Sequence, residues 1–455
     1  MNISMKNITL AGLFGAATLA MIEPAMAQDA AAVEEAVEAV VATGVSGETA
    51  YILNTFSFLF SGVLVMWMAA GFSMLEAGLV RTKNVATILL KNITLFAIAG
   101  IMYYLVGYNL MYLDVSGWIG SFGIWGPDDA AALAGDFEAG YSATSDWFFQ
   151  MVFVATAASI VSGTVAERVK LWPFLIFVVV LTAILYPITG SWTWGGGWLT
   201  EMGFLDFAGS TIVHSVGGWA ALTGAIIIGA RKGKFAADGS VHPMPGSNLP
   251  LATLGTFILW MGWFGFNGGS VLAMGSASDV IAIANVYANT SMAAAGGVVA
   301  AVILTQVLYK KVDLTMALNG ALAGLVSITA GPDTPSIGAA IIIGAIGGIL
   351  VVVAIPLLDK LKIDDVVGAV SVHLVAGIWG TMAVPITNAD ASFAVQATGV
   401  VAMGAFTIVT SAIVWLVLKY TIGVRLSEED ESLGADASEL GLEAYPEFGK
   451  GSQRF

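Results

Sequence analysis

An all-α polytopic membrane protein is the fold class this chain predicts, on three observations. Of its 455 residues 57% are hydrophobic and only 11% charged, with a mean hydropathy of +0.85, far outside the range of soluble globular domains. Apolar runs of roughly 20 residues, the length that crosses a hydrocarbon core, recur along the whole chain. Two of the three histidines, His214 and His373, lie deep inside such runs, and each follows an aspartate at the same spacing. An ionisable side chain at membrane depth costs several kcal/mol unless it faces a cavity or a partner, so both mark a functional site.

The elements follow in order. Residues 1–27 read as a bacterial-type signal peptide: Lys6 in the n-region, an apolar stretch from Ile8 to Met21, then the small-x-small site Ala25-Met26-Ala27 before Gln28. An uncleaved signal anchor is the alternative. Residues 28–50, acidic from Asp29 to Glu48, form a short extracytoplasmic N-terminus. The transmembrane domain covers 51–423 and contains eleven transmembrane helices, near 51–79, 86–112, 146–166, 172–190, 207–229, 250–269, 283–309, 314–331, 337–358, 367–387 and 393–423. Residues 424–455 form a C-terminal tail.

Lysines and arginines orient these spans. Arg81 and Lys83, Arg168 and Lys170, Arg231 to Lys234, Lys310 and Lys311, Lys360 and Lys362, and Lys419 with Arg425 all follow odd-numbered spans. By the positive-inside rule the N-terminus is outside and the C-terminus inside the cell inner membrane. The opposite loops carry acidic residues, among them Asp128, Asp129, Asp146 and Glu201, which read as ordinary solvated loops or as a weak attractor for cations. His214 falls in the fifth span and His373 in the tenth. That places them in an inverted five-plus-five repeat, with the eleventh helix appended. The match around them extends to Gly218 and Gly377, each four residues after its histidine.

Composition also excludes. With no cysteine, disulfides, thiolate metal sites and cysteine nucleophiles are absent, and a protein-only zinc or copper site lacks ligands. No cofactor is expected; a bis-histidine haem would want cationic partners that the outer half lacks. A net charge of −15 leaves no basic patch for nucleic acid. Two neutral imidazoles facing each other can instead pass a proton or line a narrow path for a small hydrogen-bonding solute. Trp192 to Trp198, with three glycines beside Trp194, suggests a backbone pressed close to something and an indole face presented. Phe149, Gln150 and Phe153 lie at the outer end of the third span. Trp263, Phe266, Asn267 and Ser270 lie at the outer end of the sixth. Together these aromatics and a hydroxyl suit a cation–π site, though singly each is more often packing or interfacial belt. Asp206 and Asp365 are two helical turns from their histidines, about 12 Å, and read as helix caps on opposite sides, Asp206 adding charge at an outer vestibule.

With these residues assembled, the chain resembles the ammonium transporter (Amt/Mep/Rh) family, of bacterial Amt type, over nearly all its length. The segments that carry the resemblance are Gly71 to Asn84, Gly163 to Arg168, Trp194 to Gly197, Asp206 to His214, Gly262 to Ser270 and the His373 segment. The resemblance implies an ammonium transporter, with ammonium or ammonia as substrate, and a homotrimer with one conduction path per protomer among membrane lipids. It implies an outer substrate site of Trp194, Phe153 and Ser270 supported by Asp206, and a gate of Phe153 and Phe266. Below that it implies a pore lined by His214, His373 and Trp263. It also implies a possible PII-type regulatory protein at the cytoplasmic face, and a tail that packs across neighbouring subunits; composition alone fits a disordered acidic tail. An Rh-like gas channel or an ammonium sensor with poor conduction are the alternatives. The tail of about 30 residues is expected to be too short for a kinase or cyclase. Leu374, where the family usually has glycine, is expected to narrow or reorient the inner lumen. Ile363-Asp-Asp-Val366 lacks a following proline, and the stretch from Glu439 to Glu443 lacks a histidine often found there.

Overall fold

The computed structural model describes residues 45–446, so the signal peptide and most of the acidic N-terminal segment lie outside the described residues. Among the described residues there is no strand, only two isolated bridges. Ten helices are long and apolar enough to cross a membrane: α1 (Gly47–Leu79), α2 (Thr82–Tyr112), α3 (Ala143–Thr164), α4 (Leu171–Ser191), α5 (Ser210–Ile228), α6 (Leu249–Gly269), α7 (Ala277–Tyr309), α9 (Ile337–Lys360), α10 (Val370–Thr387) and α11 (Phe393–Thr421). Between α7 and α9 lies α8 (Leu314–Ile328), of 15 residues. At 1.5 Å per residue it is about 22 Å long, short of the span expected at 314–331. Every residue from Leu318 to Ile328 is buried, so α8 is solvated by protein and need not match the lipid thickness.

Local chemistry starts these helices where they begin. Ser46 caps α1 through the Thr49 N–H, Asn248 caps α6 ahead of Pro250, and Ser276 and Asp279 close a capping box on α7. Asp313 and Ser336 cap α8 and α9. Packing is close because small residues face one another. A Cβ on Gly255 of α6 would stand 2.3 Å from the Leu75 nitrogen of α1, and one on Gly344 of α9 would stand 1.9 Å from the Ala293 carbonyl of α7.

The two histidine helices share one irregular start. Asp206 accepts the backbone N–H groups of Gly209, Ser210, Thr211 and Ile212. Asp365 accepts those of Ala369, Val370 and Ser371, plus the Thr164 hydroxyl. Three residues after each aspartate a glycine takes a left-handed conformation, Gly209 at φ 109° and Gly368 at φ 84°, where a side chain would be strained. A π-helical turn follows in each, Ser210–Ser215 and Val370–Val375, and each contains its histidine. Such turns widen a helix locally and concentrate at functional sites. Gly218 then packs on Leu374 of the other turn, and Gly377 packs on Ser210 and Ser215. Each half's glycine therefore seats the other half's histidine.

At the end read as cytoplasmic, buried charges tie the helices together. Arg168, fully buried, donates to the carbonyls of Thr164, Ala166, Gly229 and Asp364. Arg231 bridges Glu167 and Asp364 at 3.1 and 2.9 Å. Burial alone would raise the Asp364 carboxyl, but Arg231 and Arg168 hold it well below the usual carboxylate range. The described part of the tail is folded against this frame. Asp436 accepts the N–H groups of Ala86 and Thr87, Glu439 accepts that of Leu171, and Lys83 donates to the carbonyls of Glu431 and Ser432. Acidic side chains sit here at helix N-termini, where free N–H groups favour negative charge.

Candidate functional site

The site begins at Trp194. Its glycine neighbours are indeed pressed close: a Cβ on Gly195 would stand 2.1 Å from the Met111 carbonyl, and one on Gly197 2.5 Å from that of Gly117. The turn is thereby pinned against the last turn of α2 and the segment after it. Trp194 Nε1 donates to the main-chain oxygen of Asp206 at 3.0 Å, which stands the indole edge-on to Phe153, centroids 6.0 Å apart at 84°. The Asp206 carboxylate is turned to its helix start. The backbone carbonyl of Asp206 is the group that meets the aromatic cluster.

Phe153 of α3 and Phe266 of α6 lie ring on ring, centroids 4.1 Å apart and 30° from parallel; both are fully buried. Phe149 meets Phe153 edge-on at 4.8 Å. Ser270, half-buried at the end of α6, donates its hydroxyl to the Phe266 carbonyl at 2.8 Å. The donor is spent and the lone pairs remain free to accept. Two neighbours named from the sequence point elsewhere. Asn267 donates to Thr290 of α7, and Gln150 to Asp146 at 3.4 Å. Asp146 itself is buried in the first turn of α3 and accepts from Tyr108, so it is no solvated loop charge.

Below Phe266 the rings continue in file. The His214 centroid is 5.2 Å from that of Phe266 and 5.0 Å from that of Trp263; Trp263 is fixed by a 2.8 Å hydrogen bond to Thr329. His214 and His373 stack at 18°, Nδ1 to Nδ1 3.2 Å. One Nδ1 must donate and the other accept, so a single proton lies between two imidazoles of opposite tautomer. Both rings are buried, and His214 Nε2 has no hydrogen-bond partner among the described residues. Phe72 of α1 lies 6.0 Å from His373. Leu374 is packed over Gly218, and the cavity beneath His373 is lined instead by Phe72, Leu75, Glu76, Ile160, Asn319 and Val372, among others. Leu374 thus packs on the other histidine helix through its backbone and Cβ.

The sequence singled out the rings but passed over Glu76 and Lys91, charges in α1 and α2 that are almost fully buried. A carboxylate and an ammonium inside two apolar runs were the available signal. Among the described residues no group of histidine and acidic residues has the arrangement of a metal site.

A file of rings running from Phe153 and Phe266 to two touching imidazoles, set among ten helices long and apolar enough to cross a membrane, marks a multi-pass helical membrane protein. Comparison with known proteins agrees. The profile of the Ammonium Transporter Family matches residues 56–445. "Ammonium transporter Amt2" of Archaeoglobus fulgidus is 40% identical over 422 residues, 86% of this chain and 87% of that protein. Among solved structures, one titled "Sensor Amt Protein" superposes with a TM-score of 0.80 at 36% identity, covering 86% of this chain and 98% of the other. Mep2 of Candida albicans superposes with a TM-score of 0.77 at 25% identity, covering 91% and 96%. The chain belongs to the ammonium transporter family.

Proposed function

We propose that this chain carries ammonium across the cell inner membrane by recruiting the cation at the outer aromatic site and passing neutral ammonia through the histidine lumen. The observation that carries the reading is the 3.2 Å contact between two buried imidazoles directly beneath a closed pair of phenyl rings. Ammonium and potassium are nearly the same size, so radius and charge discriminate poorly. Ammonium alone donates hydrogen bonds. Trp194 and Phe153 offer π faces to a cation, and Ser270 offers an acceptor. Beyond the Phe153 and Phe266 gate a bare ion would lose its hydration to an apolar wall at great cost, whereas ammonia would not. The proton must leave at the mouth, and ammonia then meets the free Nε2 of His214, with Trp263 as the flanking wall. The imidazole pair holds ammonia by hydrogen bonds or relays the proton separately.

The finer assignments belong to the same proposal. With α8 counted as a buried crossing, the chain spans eleven times as an inverted five-plus-five repeat with α11 appended, N-terminus out and C-terminus in. The cationic ends of α1, α3, α5, α7, α9 and α11 support that orientation. Signal removal after Ala27, a homotrimer, and a PII-type protein at the cytoplasmic face rest on the family resemblance. Apolar side chains exposed along α1, such as Phe56, Phe60, Val63 and Trp67, offer a face to lipid or to a neighbouring subunit. The test is to reconstitute the purified chain in proteoliposomes and impose ammonium or potassium gradients of equal size. The expected result is ammonium-dependent transport with no response to potassium. Equal responses to both cations, or none to ammonium, would refute the reading.

A further inference from the structure

A buried carboxylate lies where the lumen ends. Glu76, at the last turn of α1 and 1% exposed, accepts from Asn92 at 3.0 Å and from the Ser162 hydroxyl at 2.9 Å, both through Oε2. Among the described residues its Oε1 has no hydrogen-bond partner. An orphaned buried acceptor costs about 1–3 kcal/mol, so the open oxygen is one that a proton or a hydrogen-bonding solute would satisfy. Glu76 lines the same narrow cavity as His373, with Phe72, Leu75, Asn319 and Val367. Opposite it stands Gly163, where a Cβ would lie 3.4 Å from Oε1 and 2.5 Å from Val367. The space beside the free oxygen is therefore kept by a missing side chain.

The cavity also leads outward. Asn319 and Val367 also line a second cavity of about 330 Å³, whose walls carry Asp313, Asp359 and Asp365 beside Arg231 and Lys234. The two cavities share these walls, and Glu76 stands in the one on the His373 side. Behind the carboxylate stands Lys91, also buried, whose ammonium donates to the Ser162 carbonyl at 3.2 Å and rests 4.3 Å over the Phe174 ring. Among the described residues no ion pair joins Glu76 and Lys91 directly; both hang on Ser162. The charged and titratable groups around Glu76 are Lys91 of α2 and His373 of α10, with Arg168 and Glu439 acting on Lys91 from further out.

We propose that Glu76 is a proton-delivering site at the inner end of the lumen, receiving ammonia below His373 and returning it to ammonium. This rests on the transport reading above and adds to it a named residue and a stoichiometry. At the outer mouth ammonium divides into ammonia and a proton. The proton crosses by the imidazole pair and the cavity to Glu76, and ammonia follows through the lumen. The neutral carboxylic acid then gives its proton to the ammonia nitrogen, leaving a carboxylate and an ammonium ion that departs through the second cavity. One charge crosses for each ammonia. Lys91 is a positioning residue whose charge keeps the acid ready to release its proton.

The test uses the whole chain in proteoliposomes, with current and ammonia-driven internal alkalinisation recorded separately for wild type, Glu76→Gln and Glu76→Asp. Glu76→Gln is expected to lose its ammonium current by about a hundredfold, as for removal of a proton-transfer group, while protein-dependent ammonia flux persists. Glu76→Asp is expected to restore part of the current with a displaced pH profile. Wild-type current in Glu76→Gln would overturn the proposal, as would ammonia flux without current in the wild type. Loss of both signals in a monodisperse Glu76→Gln protein would assign the residue to the lumen's structure and overturn it too. A wild type that moves no ammonia at all would refute the transport reading itself, a result distinct from the others.

Discussion

Replacing Asp206 with alanine removes the acceptor for four backbone N–H groups at once. Oδ1 takes those of Gly209 and Ser210 at 3.1 and 2.8 Å, and Oδ2 those of Thr211 and Ile212 at 2.8 and 2.9 Å. The groups are buried, so each orphaned donor costs about 1 kcal/mol at the low end of the usual range, and four give roughly 4 kcal/mol. Asparagine keeps one oxygen and therefore two of the four bonds, so Asp206→Asn should cost about half as much. The start of α5 also fixes the carbonyl that holds Trp194, so apparent ammonium affinity should worsen in the same order. Unfolding in detergent by denaturant or heat, beside proteoliposome uptake, measures both. If alanine and asparagine destabilise equally, or alanine by less than about 1 kcal/mol, the carboxylate is not holding the helix start and its charge must matter in another way.

Three further outcomes are expected. Gly218→Ala places a Cβ 2.7 Å from Leu374, which overpacking should make destabilising by about 1–3 kcal/mol; it should also part the imidazoles and slow transport, whereas an unchanged protein would mean the seam is loose. Asp364, with its folded pKa depressed, contributes stability that is fully present above its unfolded value of about 4 and is lost as pH falls through the folded value; Asp364→Asn should therefore weaken acid-dependent unfolding below about pH 4, and an unchanged acid limb would discount the cluster. Ser270→Ala and Trp194→Ala should raise the ammonium concentration for half-maximal transport more than they lower the maximal rate, and the reverse pattern in uptake kinetics would move the recruiting step elsewhere.

Much of this site was legible because hydropathy punished the exceptions. His214 and His373 stand out inside runs with no other ionisable side chain, and Trp194, Phe153, Phe266 and Ser270 fall toward one end of their spans. The structure brings them into one file. The spacing from Asp206 to His214 and from Asp365 to His373 was read as a trace of duplication. It also has a local cause: aspartate, a left-handed glycine three residues on, then a π turn presenting the histidine. That geometry was hidden because hydrophobic periodicity assumes regular α-helical turns. Arg168 was read as a cytoplasmic loop charge, yet it is buried and bonded to four carbonyls, a pairing that depends on long-range packing. The eighth helix came out shorter than the apolar run because burial in protein relaxes the length that lipid imposes. What Glu76 faces is hidden in the sequence, because His373, which lines the same cavity, is almost three hundred residues away.

The lumen itself is tested most directly by His214→Ala in proteoliposomes, with ammonium and potassium gradients applied in turn and the variant's size-exclusion profile matched to wild type. Losing the imidazole that stacks beneath Phe266 and touches His373 should abolish or alter ammonium transport, or admit potassium through a lumen opened to water. A His214→Ala protein that carries ammonium as the wild type does and still excludes potassium would contradict the twin-histidine pathway.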